Sequence, residues 1–178
     1  MNRDALPPIR RLDATEAAAL APVLAEVLVD CVAGGASVSF MHPLDPGRAL
    51  AFWQGVAKGV AAGDRALFVA EEGGAVLGTV QLLLGMPENQ PHRGEIAKML
   101  VRRAARGRGL GTALMRAAEA LARQEGRTLL VLDTAEGGDG ERLYRRLGWI
   151  PVGTIPRFAL HPDGRPCGSI FFYRDLAA

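Results

Sequence analysis

Between residues 101 and 112 the chain reads Val101-Arg102-Arg103-Ala104-Ala105-Arg106-Gly107-Arg108-Gly109-Leu110-Gly111-Thr112, four arginines and three glycines with no acid among them. Residues of these types suit a polyanion. Glycines at 107, 109 and 111 remove Cβ atoms that would hold a ligand away from the main chain, and arginine forks match phosphate oxygens. A Gly-x-x-x-x-Gly-Lys-Ser/Thr phosphate loop is excluded, because Gly111 precedes Thr112 and the stretch has no lysine. A Gly-x-Gly-x-x-Gly dinucleotide fingerprint fails as well, since the third glycine would fall on Thr112. Taken alone, the loop is equally suited to be a tight turn on a solvated basic face.

The flanking elements decide what the loop can do. Glu95-Ile96-Ala97-Lys98-Met99-Leu100-Val101 is short and mostly apolar, as a buried strand is. After the loop, Leu110, Leu114, Ala117, Ala118 and Leu121 recur at helical spacing and Gly126 supplies a stop. Strand, glycine turn, helix places the unpaired amides and positive end of a helix dipole over the loop, which holds phosphate.

The 178 residues are read as a single domain spanning 1–178, with 49% hydrophobic residues and a turn-rich content of Gly 22 and Pro 11. A net charge of +2 does not support nucleic acid as a partner, and the basic excess is local to the loop. Cys31 and Cys167 lie far apart and read as buried thiols, and His42, His92 and His161 are scattered, so no metal site is expected. Met1-Asn2-Arg3-Asp4 has no long apolar core behind it, and no run approaches the ~18 residues of a spanning helix, so a soluble cytoplasmic protein with no membrane partner is expected.

In chain order, Ile9–Leu12 reads as a strand, followed by a helix capped at Asp13 or Thr15 that either starts near Pro22 or kinks there. Residues 37–46 form a proline-broken loop, and a second helix runs from about Gly47 to Ala62 with Trp53 on its buried face. The period then changes. Residues 65–71 and 75–84 make a hairpin around Gly73-Gly74. After the fourth strand and third helix, Thr128–Thr134 is a near-continuous apolar run belonging in mid-sheet, with polar Asp133 and Thr134 where it emerges. Asp139 is the candidate cap of a short helix over 141–148. Residues 149–153 and 169–173 close the sheet around a turn at 161–164. The fold class is α/β, a mostly antiparallel mixed sheet of about six or seven strands with about four helices.

Arg106, Gly109 and Gly111 fit an Arg/Gln-x-x-Gly-x-Gly/Ala pattern, and Leu143-Tyr144-Arg145-Arg146-Leu147-Gly148-Trp149 fits a Leu-Tyr-x-x-x-Gly-Phe segment. Both motifs, and the order of elements, resemble the GCN5-related N-acetyltransferases (GNAT) over almost the whole chain. Leu132-Asp133-Thr134-Ala135 with Tyr144–Trp149 is similar to the tabtoxin-resistance branch, which would imply a role in antibiotic or toxin resistance. One departure matters: many members carry Asn seven residues before the tyrosine, where this chain has Gly137.

The resemblance implies acetyl transfer from acetyl-CoA, as co-substrate, to a primary amine by direct attack in a ternary complex. Met99, Leu100 and Val101 would pair with the pantetheine arm, and Arg106, Gly107, Arg108, Gly109, Gly111 and Thr112 would hold the pyrophosphate. Tyr144 would protonate the departing thiolate, since a phenol near pKa ~10 still holds its proton at neutral pH and can donate it as negative charge develops on the sulfur. Alkyl amines near ~10 must lose a proton first, and Asp133 or Glu95 is the base, with desolvation expected to raise its basicity. The expected partner is a small-molecule amine, and a homodimer stays open. A non-catalytic acyl-CoA sensor and an acetyltransferase acting on a protein N-terminus or lysine are the alternatives.

Overall fold

The computed structural model describes residues 6–177, so the reading of Met1–Asp4 lies outside it. β1 (Ile9–Leu12) leads through Asp13 into α1 (Ala14–Ala33), where a capping box joins Asp13 and Glu16. Pro22 sits within α1 and does not end it. Pro22 and Ala18, whose carbonyl loses its donor, are both exposed, so water can serve that carbonyl. α2 (Pro46–Ala61) starts on a proline behind the Asp45 cap.

β2 (Arg65–Glu72), β3 (Ala75–Leu83) and β4 (Arg93–Val101) form a meander. A 3₁₀ turn (Arg103–Ala105) and α3 (Leu110–Gln124) follow, then β5 (Leu129–Ala135), α4 (Asp139–Arg146), β6 (Ile150–Leu160) and β7 (Pro166–Asp175). The seven-stranded sheet has the order β1-β2-β3-β4-β5-β7-β6. β5, the apolar run, lies inside it. β4 and β5 are parallel neighbours and the other pairs are antiparallel.

Each face buries its own core. α1 and α2 pack Leu24, Leu28, Trp53 and Val56 on Leu67, Val69 and Leu100. α3 and α4 pack Leu114, Met115, Leu143 and Tyr144 on Phe68, Leu82, Leu132 and Phe172. On that second face the buried indole of Trp149 donates from Nε1 to Oε1 of buried Glu119 at 2.8 Å. Trp149→Phe would leave that oxygen buried without its donor, so a loss of about 2–3 kcal/mol is expected, read as a lowered urea midpoint at unchanged slope.

Two sequence readings need correction. Asp139 is not the α4 cap: Gly138 holds that position and Asp139 is the first helical residue, paired with Arg142. The closing strands are also longer than 149–153 and 169–173. β6 runs to Leu160 through an irregularity between Ile155 and Ala159 that contains Pro156 and Arg157 at φ +54°. Prolines at 151 and 156 fit this strand because β6 lies at the edge of the sheet, where a missing donor is tolerated. Among the described residues, no helix is long and apolar enough to cross a membrane.

Candidate active site

The loop before α3 is built to present main-chain donors. Gly107 and Gly109 have φ of +77° and +82°, left-handed values that an L side chain rarely adopts. Gly109 is the α3 N-cap and offers no side-chain acceptor. The first helical bond into it comes from the Ala113 amide at 3.1 Å, so the amides of Leu110, Gly111 and Thr112 are the open donors of the first turn. Gly111 has a different reason to be glycine. A Cβ there would meet Leu143 Cδ2 at 3.0 Å and Met99 Sδ at 3.6 Å, so its bareness lets α3 approach α4 and β4.

Three of the four arginines are not free forks. Arg102 pairs with Glu26, Arg103 with Asp30, and Arg108 with both oxygens of Glu72 at 2.7 and 3.1 Å. Arg106 is the loosest: its Nε reaches the Val101 carbonyl at 3.3 Å and its Nη1 lies 3.9 Å from Asp139. The main chain and Arg106 are therefore the donors of this loop left most open to an anion. Gly109→Val should cost acetyl-CoA affinity at least about tenfold through strain at a left-handed position, measured by titration calorimetry, with turnover at saturation less affected.

β4 leads straight to this loop, and it is kinked. Thr79 pairs with Leu100 but Gln81 with Ala97, so Lys98 and Met99 oppose Val80 alone. This is a β-bulge, and Lys98 has φ +47° within it. β4 and β5 pair only from Arg93–Glu95 to Leu129–Val131. Beyond that register the strands part, leaving the β5-facing edge of Met99, Leu100 and Val101 open for an extended ligand.

Asp133 stands at the far side of this split. Ser169, buried on β7, donates its hydroxyl to Asp133 Oδ2 at 2.6 Å. The burial expected around Asp133 is absent, because its side chain is exposed to the cleft at the point where β5 leaves its neighbour. Glu95 is half-buried on β4, 3.4 Å from Arg93. Tyr144 approaches from α4, 6% exposed, its ring packed at 6.1 Å from Trp149 and 6.0 Å from Phe172. Burial, reinforced by the nearby Asp133 charge, raises its phenol well above the ordinary tyrosine value.

Lys98 projects to the opposite wall. Its Nζ lies 3.2 Å from Ser39 Oγ and 5.6 Å from the centre of the Phe52 ring. Burial pulls the ammonium below the usual lysine range, with Arg65 acting in the same direction and Asp133 and Glu95 opposing. The loop between α1 and α2 roofs this end: Ser37 Oγ donates to the Leu160 carbonyl at 2.9 Å and the His42 amide to the Pro162 carbonyl at 3.0 Å. A separate groove of about 500 Å³ between α1 and α2 is lined in part by Pro22, Val29 and Leu50 and, at the arginine loop, by Arg103 with its partner Asp30. It is mostly apolar, and Asp133, Glu95, Lys98 and Tyr144 are not among its lining residues.

Residues 28–149 match the sequence model of the Acetyltransferase (GNAT) family. The chain belongs to the GNAT acetyltransferase family. Solved structures agree on the fold. An N-acetyltransferase from Staphylococcus aureus is 19% identical with a TM-score of 0.78, covering 97% of this chain and 99% of its own. A ribosomal-protein-alanine N-acetyltransferase from Brucella melitensis is 23% identical at TM-score 0.78, covering 94% and 99%. A Salmonella typhimurium structure with its cofactor acetyl-CoA is 22% identical at TM-score 0.76, covering 97% and 95%. The reaction class of this GNAT protein is thus acetyl-CoA-dependent acetyl transfer.

Two site residues escape sequence reasoning. Ser169 is 36 positions from Asp133 and meets it only because β7 pairs with β5. Lys98 reads as one polar position in an apolar strand, and nothing local signals the bulge. At the family's Asn position, Gly137 has φ +76°, donates its amide to Glu141 Oε2 at 2.7 Å and accepts from Arg142 at 2.9 Å. The turn is closed by its own helix, and no side chain extends from it toward the cleft.

Proposed function

We propose that this GNAT protein transfers the acetyl group of acetyl-CoA to a primary amine of a small-molecule acceptor, by direct attack within a ternary complex. The residues present fit the co-substrate: open amides from Leu110 to Thr112 with Arg106 suit its pyrophosphate, and the unpaired edge of Met99, Leu100 and Val101 suits its pantetheine arm. Acetyl-CoA supplies an acyl thioester. Asp133, steadied by Ser169, takes the proton of the acceptor ammonium, directly or through a water. Main-chain donors of the bulge meet the charge that grows on the carbonyl oxygen. Tyr144 gives its proton to the sulfur as the N–C bond forms and the C–S bond breaks, so the thiol leaves neutral; the second proton that the nitrogen sheds on becoming an amide restores the phenol, and the first passes from Asp133 to solvent. No cysteine is needed, and Cys31 and Cys167 are both buried.

The observation that favours a small acceptor over a protein tail is the roof. Bonds from Ser37 to Leu160 at the end of β6 and from His42 to Pro162 in the β6–β7 turn tie the loop between α1 and α2 across the acceptor end, which favours a compact acceptor. Thiol release measured across small amines and across peptides with N-terminal alanine or internal lysine tests this. Turnover of small amines with little on peptides is expected. Peptides turned over preferentially would replace the reading with protein acetylation, and acetyl-CoA binding without turnover on any amine would replace it with an acyl-CoA sensor.

A further inference from the structure

The acceptor cleft carries a cation that the proton transfers above do not use. Lys98 holds φ +47°, a conformation a long L side chain keeps only when its surroundings impose it. From the bulge it reaches toward the α2 side of the cleft and ends at a hydroxyl and an aromatic face, Ser39 and Phe52. Neither carries a charge, and among the described residues Lys98 makes no ion pair. A half-buried ammonium left in this condition is poorly solvated, and a fitting anion would relieve that cost.

The wall behind it repeats the sign. Gln81 lies across from Ala97, the residue before Lys98, and is 1% exposed. Its Oε1 accepts from Arg65 Nη1 at 2.9 Å, which leaves Gln81 Nε2 and Arg65 Nε as buried donors without acceptors. Asp133, across the cleft, is also free of any ion pair among the described residues; its one side-chain partner there is the Ser169 hydroxyl. The cleft thus holds a carboxylate on one side and, on the other, an ammonium with the Arg65 charge buried behind it, near enough to feel each other's field yet not in contact. A ligand carrying both charges would complete it.

We propose that Lys98 is a specificity-determining residue that selects acceptors with a carboxylate beside the amine, binding the carboxylate at Nζ while Asp133 meets the ammonium. The acceptor class is then the zwitterionic amino acid. This rests on the acetyl-transfer reading and narrows its substrate. Intrinsic reactivity runs the other way: a neighbouring carboxylate makes an ammonium harder to deprotonate, so without recognition the uncharged carboxamide of the same amino acid would be the faster acceptor.

The test compares free amino acids with their carboxamides on the wild type, Lys98→Met and Lys98→Arg. Thiol release is followed with acetyl-CoA, and calorimetric titration of the same compounds is run in the presence of coenzyme A. For accepted side chains, kcat/KM for the acid should exceed that for the carboxamide by about 10- to 100-fold, the range of one charge-assisted contact. Lys98→Met should bring that ratio close to one, chiefly through KM, and Lys98→Arg should retain part of it. A wild type that prefers carboxamides or plain amines would overturn the inference. So would Lys98→Met lowering acid and carboxamide alike, which is the mark of a structural role. Lys98-dependent binding of amino acids without transfer would uphold the anion site and remove the acetyl-transfer reading, whereas efficient transfer confined to uncharged amines would do the reverse.

Discussion

Replacing Tyr144 with phenylalanine is expected to lower kcat by about 10²-fold while leaving acetyl-CoA affinity nearly intact. The two effects separate because the phenol and its ring have different tasks. The ring packs against Trp149 and Phe172, contacts that phenylalanine keeps, so the α4 side of the site should hold its shape. Only the proton donor is lost. Burial and the Asp133 charge both raise this phenol, so it stays protonated throughout the pH range in which an amine acceptor works. The basic limb of the wild-type pH–rate profile should therefore show no loss of a tyrosine proton near pH ~10. The same shift has a stability counterpart: the neutral phenol is accommodated at full strength below the ordinary tyrosine value, and that contribution is lost only as pH rises above it toward the raised folded value. A Tyr144→Phe enzyme with unchanged kcat would remove the residue from the mechanism.

Asp133→Asn should cost turnover by about 10²- to 10³-fold, and Glu95→Gln considerably less. Asparagine keeps the size of the side chain and can still accept from Ser169, so the substitution removes basicity with little change of shape. Three features favour Asp133. It lies at the split between β4 and β5, its charge acts on both Tyr144 and Lys98, and it has no ion-pair partner among the described residues. Glu95 shares the acceptor face but already pairs with Arg93. Equal losses at the two positions would mean that the carboxylates act together through a shared water, and a larger loss at Glu95 would exchange their roles.

Much of the frame was legible because periodicity is local. The apolar run before Asp133, the helical spacing from Leu110 to Leu121 and the glycines of the phosphate loop all report on their own neighbourhoods, and β5, α3 and the turn before α3 lie within a few residues of where the pattern put them. What stayed hidden depends on pairing between distant segments. The arginines looked like four equivalent forks, yet Glu26, Asp30 and Glu72, far away in sequence, occupy three of them. The bulge that swings Lys98 toward α2 arises from a register shift against β3, which no window of one strand contains. Ser169 reaches Asp133 by the same kind of long-range pairing. The continuation of β6 past Gly153 rests likewise on its pairing with β7.

In the proposed mechanism, main-chain donors between Arg106 and Thr112 hold the diphosphate and so aim the thioester at Tyr144. Titration calorimetry of the purified protein with acetyl-CoA and with S-acetylpantetheine, which carries the same thioester and arm but no diphosphate, tests it most directly. Binding of acetyl-CoA with S-acetylpantetheine weaker by about two orders of magnitude or more, the scale of two such charge-assisted contacts, is the predicted result. No heat with acetyl-CoA, or equal affinity for the two compounds, would contradict it.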